Sequence, residues 1–96
     1  MPTQWPFHDA RNVATISLKR ILERRVPILF VTHDAEDGAW QFLDGSDDLQ
    51  PEDSCVIALE SVVKLDPTVR ELADLPPGWV AWRENQDSAW QRAEHS

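Results

Sequence analysis

The chain is short of the residues that nucleotide-binding loops and thiol chemistry require. Its 96 residues include three glycines, one cysteine and no tyrosine. Neither a Gly-rich phosphate loop, nor a GxSxG elbow, nor a CxxC pair occurs. The single cysteine, Cys55, excludes an intramolecular disulfide. Because it lies in the apolar run CVIAL, we expect a buried, reduced thiol that packs as a small hydrophobe.

Long apolar runs are also missing. No run approaches the roughly 18 residues of a membrane span. The start of the chain, MPTQWPFHDAR, lacks the features of a signal peptide. We therefore expect a cytoplasmic protein with no membrane association. The length fits one domain over residues 1–96, with a core at about 11–84 and flexible segments at 1–10 and 85–96.

Positive charge is missing from the middle of the chain, since no lysine or arginine occurs between Arg25 and Lys64. Residues 26–66 carry one basic and ten acidic groups, and the formal net charge of the chain is −8. Such a surface repels nucleic acid and attracts a basic protein. Solubility alone is an alternative explanation that the composition leaves open.

The apolar pattern predicts a sheet. Four short runs are typical of strands, and a fifth, NVATI, fits an edge strand: the four are PILFVT, AWQFL, CVIAL and WVAWR. PILFVT is continuous enough for a central strand buried on both faces. The polar connection HDAEDG ends in Asp37-Gly38, a strong turn signal, and joins the first two runs as a β-hairpin.

Two segments predict helices. SLKRILERR has Ser17 as a capping residue and Pro27 as a stop. The second, SVVKLDPTVRELADL, is expected to be helical in two pieces, because Asp66 can cap and Pro67 can occupy the first helical position. The elements together predict an α+β domain: a mainly antiparallel sheet of four or five strands, with two helices packed on one face.

The segment VTHDAEDG concentrates one histidine and three carboxylates. A zinc site needs three or four converging ligands, and neighbours on an extended segment point to opposite faces. We therefore interpret the segment as a solvated hairpin tip, and expect no metal and no other cofactor. A metal-binding or hydrolytic site made of His33, Asp34 and Asp37 is the alternative.

Tryptophan is abundant, with five residues in the chain. Trp40, Trp79 and Trp82 lie in expected strands, and large rings usually fill the core of a small domain. Alternation places Trp79 and Trp82 on opposite faces of the sheet. If helices cover one face only, one of these two rings lies on the open face and is a good interface anchor.

Two segments resemble a known group of proteins. They are PILFVTHDAEDGAWQFLDG and VIALESVVKLDPTVRELADLPPGWVAWRE, and the likeness extends over roughly residues 12–84. The most specific parts are DGAWQFLDG, LDPTVRELADLP and the PPGW turn. This chain is similar to small bacterial domains of unknown function associated with predicted immunity proteins of polymorphic toxin systems. The resemblance implies an α+β fold and supplies no catalytic residues.

These observations favour a non-enzymatic protein that binds a basic partner, such as a toxin that it neutralises. The acidic block and one exposed tryptophan would form the contact surface. The residues expected there are Asp34, Glu36, Asp37, Trp40, Asp47, Asp48, Glu52, Asp53, Trp79 and Trp82. A small-molecule-binding accessory domain is a further alternative, and the oligomeric state stays open.

Overall fold

The structure, a computed structural model that describes residues 4–95, contains one six-stranded sheet. The strands are β1 (Ala14–Leu18), β2 (Phe30–His33), β3 (Trp40–Leu43), β4 (Ser54–Ala58), β5 (Trp79–Trp82) and β6 (Gln91–Glu94). Their spatial order is β4-β1-β3-β2-β5-β6. β1 and β3 are parallel, and every other neighbouring pair is antiparallel. The expected α+β class is confirmed, but the sheet is mixed and has more than the four or five strands expected.

The expected hairpin is present. β2 and β3 are antiparallel, with Val31 opposite Phe42 and His33 opposite Trp40. Gly38 closes the connection with a φ of 71°, a conformation that glycine adopts without a steric penalty. β2 is central, as expected, yet it is not buried on both faces: Phe30, Thr32 and His33 are half-buried, and only Val31 is fully buried.

β1 lies inside the sheet rather than at its edge. It is hydrogen-bonded to β4 on one side and to β3 on the other. The buried Ser17 is part of this strand, and its hydroxyl donates to the carbonyl of Phe42 at 2.8 Å. The expected helix cap at Ser17 is therefore wrong, because the hydroxyl bonds across the sheet instead.

The helices are short. α1 is Lys19–Leu22 and α2 is Leu59–Leu65, and two 3₁₀ segments occupy Pro51–Asp53 and Pro67–Leu72. Asp66 does cap the second 3₁₀ segment, since its carboxylate accepts from the Thr68 amide at 3.0 Å. None of the helices in residues 4–95 has the length and apolar character needed to cross a bilayer.

The core lies on one face of the sheet. Strand residues on that face are buried against residues of α1, α2 and the second 3₁₀ segment. The strand residues include Val31, Phe42 and Ala81, and the helical residues include Ile21, Leu59, Val62, Val69 and Leu72. Two helices were expected on one face; the structure has the short α1 and α2 and a 3₁₀ segment contributing to this core. The Cα radius of gyration, 12.6 Å, matches the value of about 12.5 Å for a single domain of this length.

Within residues 4–95, parts of both terminal segments pack on the fold, contrary to the expectation of flexible segments. Phe7 is 6% exposed and meets Trp40 edge-on, with ring centroids 5.5 Å apart. Residues 91–94 form β6 against β5. Large aromatic rings at positions 5, 7 and 90 bury apolar area that holds these segments against the core. Residues 1–3 and 96 of the segments expected to be flexible lie outside the described residues.

Candidate functional site

One face of the sheet has no layer packed on it. Register pairings place one residue from each strand in a single row across this open face: Val56, Ile16, Gln41, Thr32, Val80 and Ala93. Their neighbours two positions along each strand lie on the same face. Val56 is 68% exposed and Trp82 is 40% exposed, and both belong to this face. The open face is therefore the apolar surface that the fold leaves uncovered.

Phe30 and Trp82 lie side by side in the middle of the open face. They are register partners of β2 and β5. The amide of Arg83 donates to the carbonyl of Leu29 at 3.1 Å, which makes the Phe30–Trp82 pair a non-hydrogen-bonded one. In such pairs the Cα atoms approach to about 4.5 Å and the side chains are close. We call this pair of cross-strand neighbours the aromatic surface.

A depression of about 550 Å³ lies at the hairpin end of this aromatic surface. Phe30 and Val80 contribute to its apolar lining, and Asp34 and Glu36 lie at its border. The hairpin is fixed there because the Gly78 amide donates to the His33 carbonyl at 2.7 Å. Apolar walls beside carboxylates are suited to a cationic group attached to an apolar chain.

A second, smaller depression of about 240 Å³ lies at the opposite end of the aromatic surface. It is lined by Phe30, Leu43 and Leu49, with Asp47 at its border. Phe30 thus lines both depressions. We call the two depressions and the adjoining Trp82 ring the open-face groove.

The acidic residues named from the sequence lie at two ends of the sheet. Residues 34–39 connect β2 to β3 at one end, and residues 44–53 connect β3 to β4 at the other. The intervening strands have four residues each, so the two loops are separated by about 10–13 Å along the strand direction. The acids therefore border the open-face groove from both ends and do not form one cluster.

Some of these carboxylates stabilise their own loops. Asp34 accepts from the Glu36 amide at 2.7 Å, and Asp37 accepts from the Ala39 amide at 2.9 Å. Asp53 accepts from the Gln50 amide at 2.9 Å within a capping box. These bonds are made with backbone amides, and none of the three carboxylates forms an ion pair with a residue of 4–95. The remaining acids are exposed and make no ion pair with any residue of 4–95: Glu36, Asp47, Asp48 and Glu52.

Asp44 differs from its neighbours because it is paired within the chain. Its carboxylate accepts from Arg20 Nε at 2.8 Å, and its other oxygen accepts from the Ser46 hydroxyl at 2.7 Å. Burial alone would raise the pKa of Asp44, but the bonds from Arg20 and Ser46 outweigh it and lower that pKa. Asp44 therefore anchors the β3–β4 loop, and sequence reasoning gave no sign of this partner.

Two of the three tryptophans named from the sequence, Trp79 and Trp82, belong to the open-face groove. Trp82 is on the open face, as alternation allows. Trp40 is 2% exposed and lies in the core, so its assignment to a contact surface is wrong. Trp79 is half-buried: it packs against the core, and it also lines the depression of about 550 Å³. The core takes the Trp40 ring because large apolar area favours burial.

His33 has a structural role. Its Nδ1 donates to the carbonyl of Leu75 at 2.7 Å, since a carbonyl oxygen can only accept. Its ring stacks on Trp40, with centroids 3.9 Å apart and planes at 13°. Asp34 and Asp37 bond within their loop instead of converging on His33. No group of three His, Cys, Asp or Glu side chains in residues 4–95 is arranged to hold a metal ion.

Cys55 is half-buried in β4 and is not part of the groove. Burial raises the pKa of its thiol, and the charge of Lys19 nearby opposes that shift only partly. The thiol is consequently protonated at neutral pH. The residue is half-buried, whereas full burial was expected.

Arg83 is the residue that sequence reasoning missed most clearly. It is 5% exposed and lies directly after Trp82. Its guanidinium donates to the carbonyl of Ile28 from two nitrogens and to the carboxylate of Asp66 at 2.6 Å. The Trp90 ring stacks on this guanidinium, with 4.1 Å between Arg83 Cζ and the ring centroid. By tying the end of β5 to the start of β2, Arg83 fixes the aromatic pair of the open-face groove.

Comparison with protein-family models, with curated proteins and with solved structures finds no match to this chain. The resemblance to immunity-associated bacterial domains therefore stays a prediction.

Proposed function

We propose that this protein is a non-enzymatic binding domain that docks a basic protein partner in the open-face groove. The observation that carries the proposal is the groove itself. Two apolar depressions share Phe30, and carboxylates border them at both ends. A partner that fits must offer an apolar centre flanked by basic side chains.

Two physical effects act in sequence during binding. The acidic loops raise the local concentration of a basic partner and speed its association, an effect that salt screens. Burial of Trp82 and Phe30 then slows dissociation, because a desolvated aromatic ring at the centre of an interface commonly contributes most of the binding free energy. Trp82 is 40% exposed in the free protein and so has area left to bury.

The sequence resemblance makes the identity of the basic partner more specific. On that basis the partner is a toxin, and the domain acts as an immunity protein that neutralises it by binding. Blocking by binding needs no catalytic group, only a surface complementary to the toxin.

A small-molecule site is the second candidate function. The depression beside the hairpin, at about 550 Å³, falls within the range of about 300–1,000 Å³ that ligand pockets occupy. A thermal-shift screen with cationic amphiphilic compounds tests this candidate. Stabilisation of the wild type that is lost in Phe30→Ala supports it, and a screen without any stabilising compound rejects it for this class of ligand.

Affinity capture from the native cell lysate tests the main proposal when it uses matched variants. Glu36→Lys reverses a charge at the groove border. Glu71→Lys makes the same change in the 3₁₀ segment that packs on the opposite face of the sheet. We expect one basic protein to be retained by the wild type and by Glu71→Lys at low salt, and to be lost with Glu36→Lys or at high salt. Equal retention by both variants would reject the groove as the contact surface.

A further inference from the structure

The two outer strands of the sheet differ in how their free edges are protected. β6 carries Arg92 and Glu94, and charged residues on an edge strand oppose pairing with another strand. Arg92 is also held by Asp74, at 2.8 Å. β4 has the sequence SCVIA, with no charge and no proline, and its central Val56 is 68% exposed. β4 is therefore the edge that is able to accept a further strand.

The direction of the backbone groups in β4 follows from one hydrogen bond. The Leu59 amide donates to the Val13 carbonyl at 2.9 Å, directly after the register pair at the end of β4. In an antiparallel ladder the residues alternate, so Cys55 and Ile57 direct their N–H and C=O groups toward β1. The residues whose backbone groups point away from the sheet are Ser54, Val56 and Ala58.

Two of the outward groups are already used inside the chain. The Ser54 amide donates to the Pro51 carbonyl. Ala58 is the N-cap residue of α2, so its carbonyl accepts the first hydrogen bond within that helix. Two donors then remain, the amides of Val56 and Ala58, and two acceptors, the carbonyls of Ser54 and Val56. No backbone hydrogen bond found within residues 4–95 uses these four groups.

We propose that β4 pairs with β4 of a second copy of this chain, antiparallel, about a twofold axis at Val56. In this register each Val56 amide donates to the Val56 carbonyl of the other copy. Each Ala58 amide donates to the Ser54 carbonyl of the other copy. All four remaining outward groups of each chain find a partner, which an arbitrary strand in another register does not achieve. The twofold axis is perpendicular to the sheet, so both open-face grooves lie on the same side of the dimer.

The dimer is weak and reversible. A single pair of short strands buries less than the roughly 1,200 Å² of the smallest standard interfaces. Two chains of net charge −8 also repel each other. Dimer formation therefore increases with protein concentration and with salt. Salt has the opposite effect on the binding of a basic partner, so the failure of one proposal is distinguishable from the failure of the other.

Amide hydrogen exchange on the wild type tests the pairing. The amides of Cys55 and Ile57 bond to β1 and are protected at every protein concentration. The amides of Val56 and Ala58 gain protection only as the concentration rises, at least tenfold between dilute and near-saturating protein. If these two amides exchange at the same rate over the whole concentration range, the proposed pairing is wrong.

Crosslinking tests the register. In a Cys55→Ser background, Val56→Cys places a thiol on the proposed twofold axis, and Ala93→Cys places one in the same row of the open face at the other edge. A short thiol-specific crosslinker should give at least ten times more covalent dimer with Val56→Cys than with Ala93→Cys. Equal yields would overturn the proposed register. Both positions lie on edge strands and are not in the core, so both variants are expected to fold.

Discussion

Replacing Arg83 with methionine should destabilise the protein strongly. The substitution keeps an apolar side chain of similar length and removes every donor of the guanidinium. Those donors bind the Ile28 carbonyl, at 3.1 and 2.9 Å, the Asp66 carboxylate at 2.6 Å and the Thr68 hydroxyl at 2.9 Å. The variant leaves a carboxylate and a carbonyl that have lost their main partner.

The magnitude follows from the burial of those groups. Removing one partner of a buried ion pair costs about 3–5 kcal/mol. The Asp66 side chain is 18% exposed, so water partly compensates its charge and the low end of that range applies. We expect Arg83→Met to lower the free energy of unfolding by about 3 kcal/mol. That is a large fraction of the total of about 5–15 kcal/mol typical of a domain.

Urea unfolding, followed by tryptophan fluorescence and by far-ultraviolet circular dichroism, measures this loss. Arg25→Met is the matched control, because the Arg25 side chain is 73% exposed and its contact with Glu23 is 3.4 Å long. An exposed pair of this kind contributes about 0–1 kcal/mol. A loss below about 1 kcal/mol for Arg83→Met would refute the reasoning, because the buried network would then contribute no more to the free energy of unfolding than the exposed pair does.

Three other predictions concern local structure. Arg24 has a φ of 61° at the end of α1, and the next amide, that of Arg25, donates to the Arg20 carbonyl. Glycine usually occupies a helix-terminating position with such a φ, so Arg24→Gly should raise the urea midpoint by an amount equivalent to about 1 kcal/mol. Asp44→Asn should be less stable than the wild type at neutral pH. Because the pKa of Asp44 in the folded state lies below its ordinary 3.8, this difference in unfolding free energy should be lost as pH falls through the folded-state pKa. A difference that persists under more acidic conditions would contradict the pairing of Asp44 with Arg20. Trp40→Ala should cost about 3–5 kcal/mol in the same urea assay, since a fully buried ring is removed, and a cost under about 1 kcal/mol would contradict its core position.

Elements with strong local signals were predictable from the sequence. The hairpin followed from two apolar runs joined by Asp37-Gly38, and the Asp66-Pro67 pair marked the start of a helical segment. The opposite faces of Trp79 and Trp82 followed from strand alternation alone. Each of these depends on residues within a few positions of one another, which is the range over which propensity and periodicity act.

Elements that depend on distant contacts were not predictable. β6 has the sequence QRAE, without the apolar alternation of a strand, and forms because β5 offers an unpaired edge and Trp90 packs on Arg83. Ser17 has the residue type of a helix cap, but the Phe42 carbonyl across the sheet takes its hydroxyl. Tertiary context overrides local preference in both cases.

The candidate site was predictable in part for the same reason. The acidic character of residues 34–53 is visible in the sequence, whereas the position of those residues at two ends of one groove depends on strand order. Phe30 was absent from the residues expected to contact a partner, because its apolar run indicated burial on both faces. Only the absence of a layer over β2 and β5 identifies it as the centre of the open-face groove.

The affinity of the captured basic partner for Trp82→Ala tests the central claim most directly. Val56→Ala is the matched control, because Val56 is the other exposed large apolar residue of the open face and lies outside the groove. At protein concentrations too low for dimers, we expect Trp82→Ala to weaken binding by at least about 30-fold, the effect of losing an aromatic anchor worth about 2 kcal/mol. Val56→Ala should change the affinity less than about threefold. Equal affinities for the wild type and Trp82→Ala, with both proteins equally stable, would contradict the account.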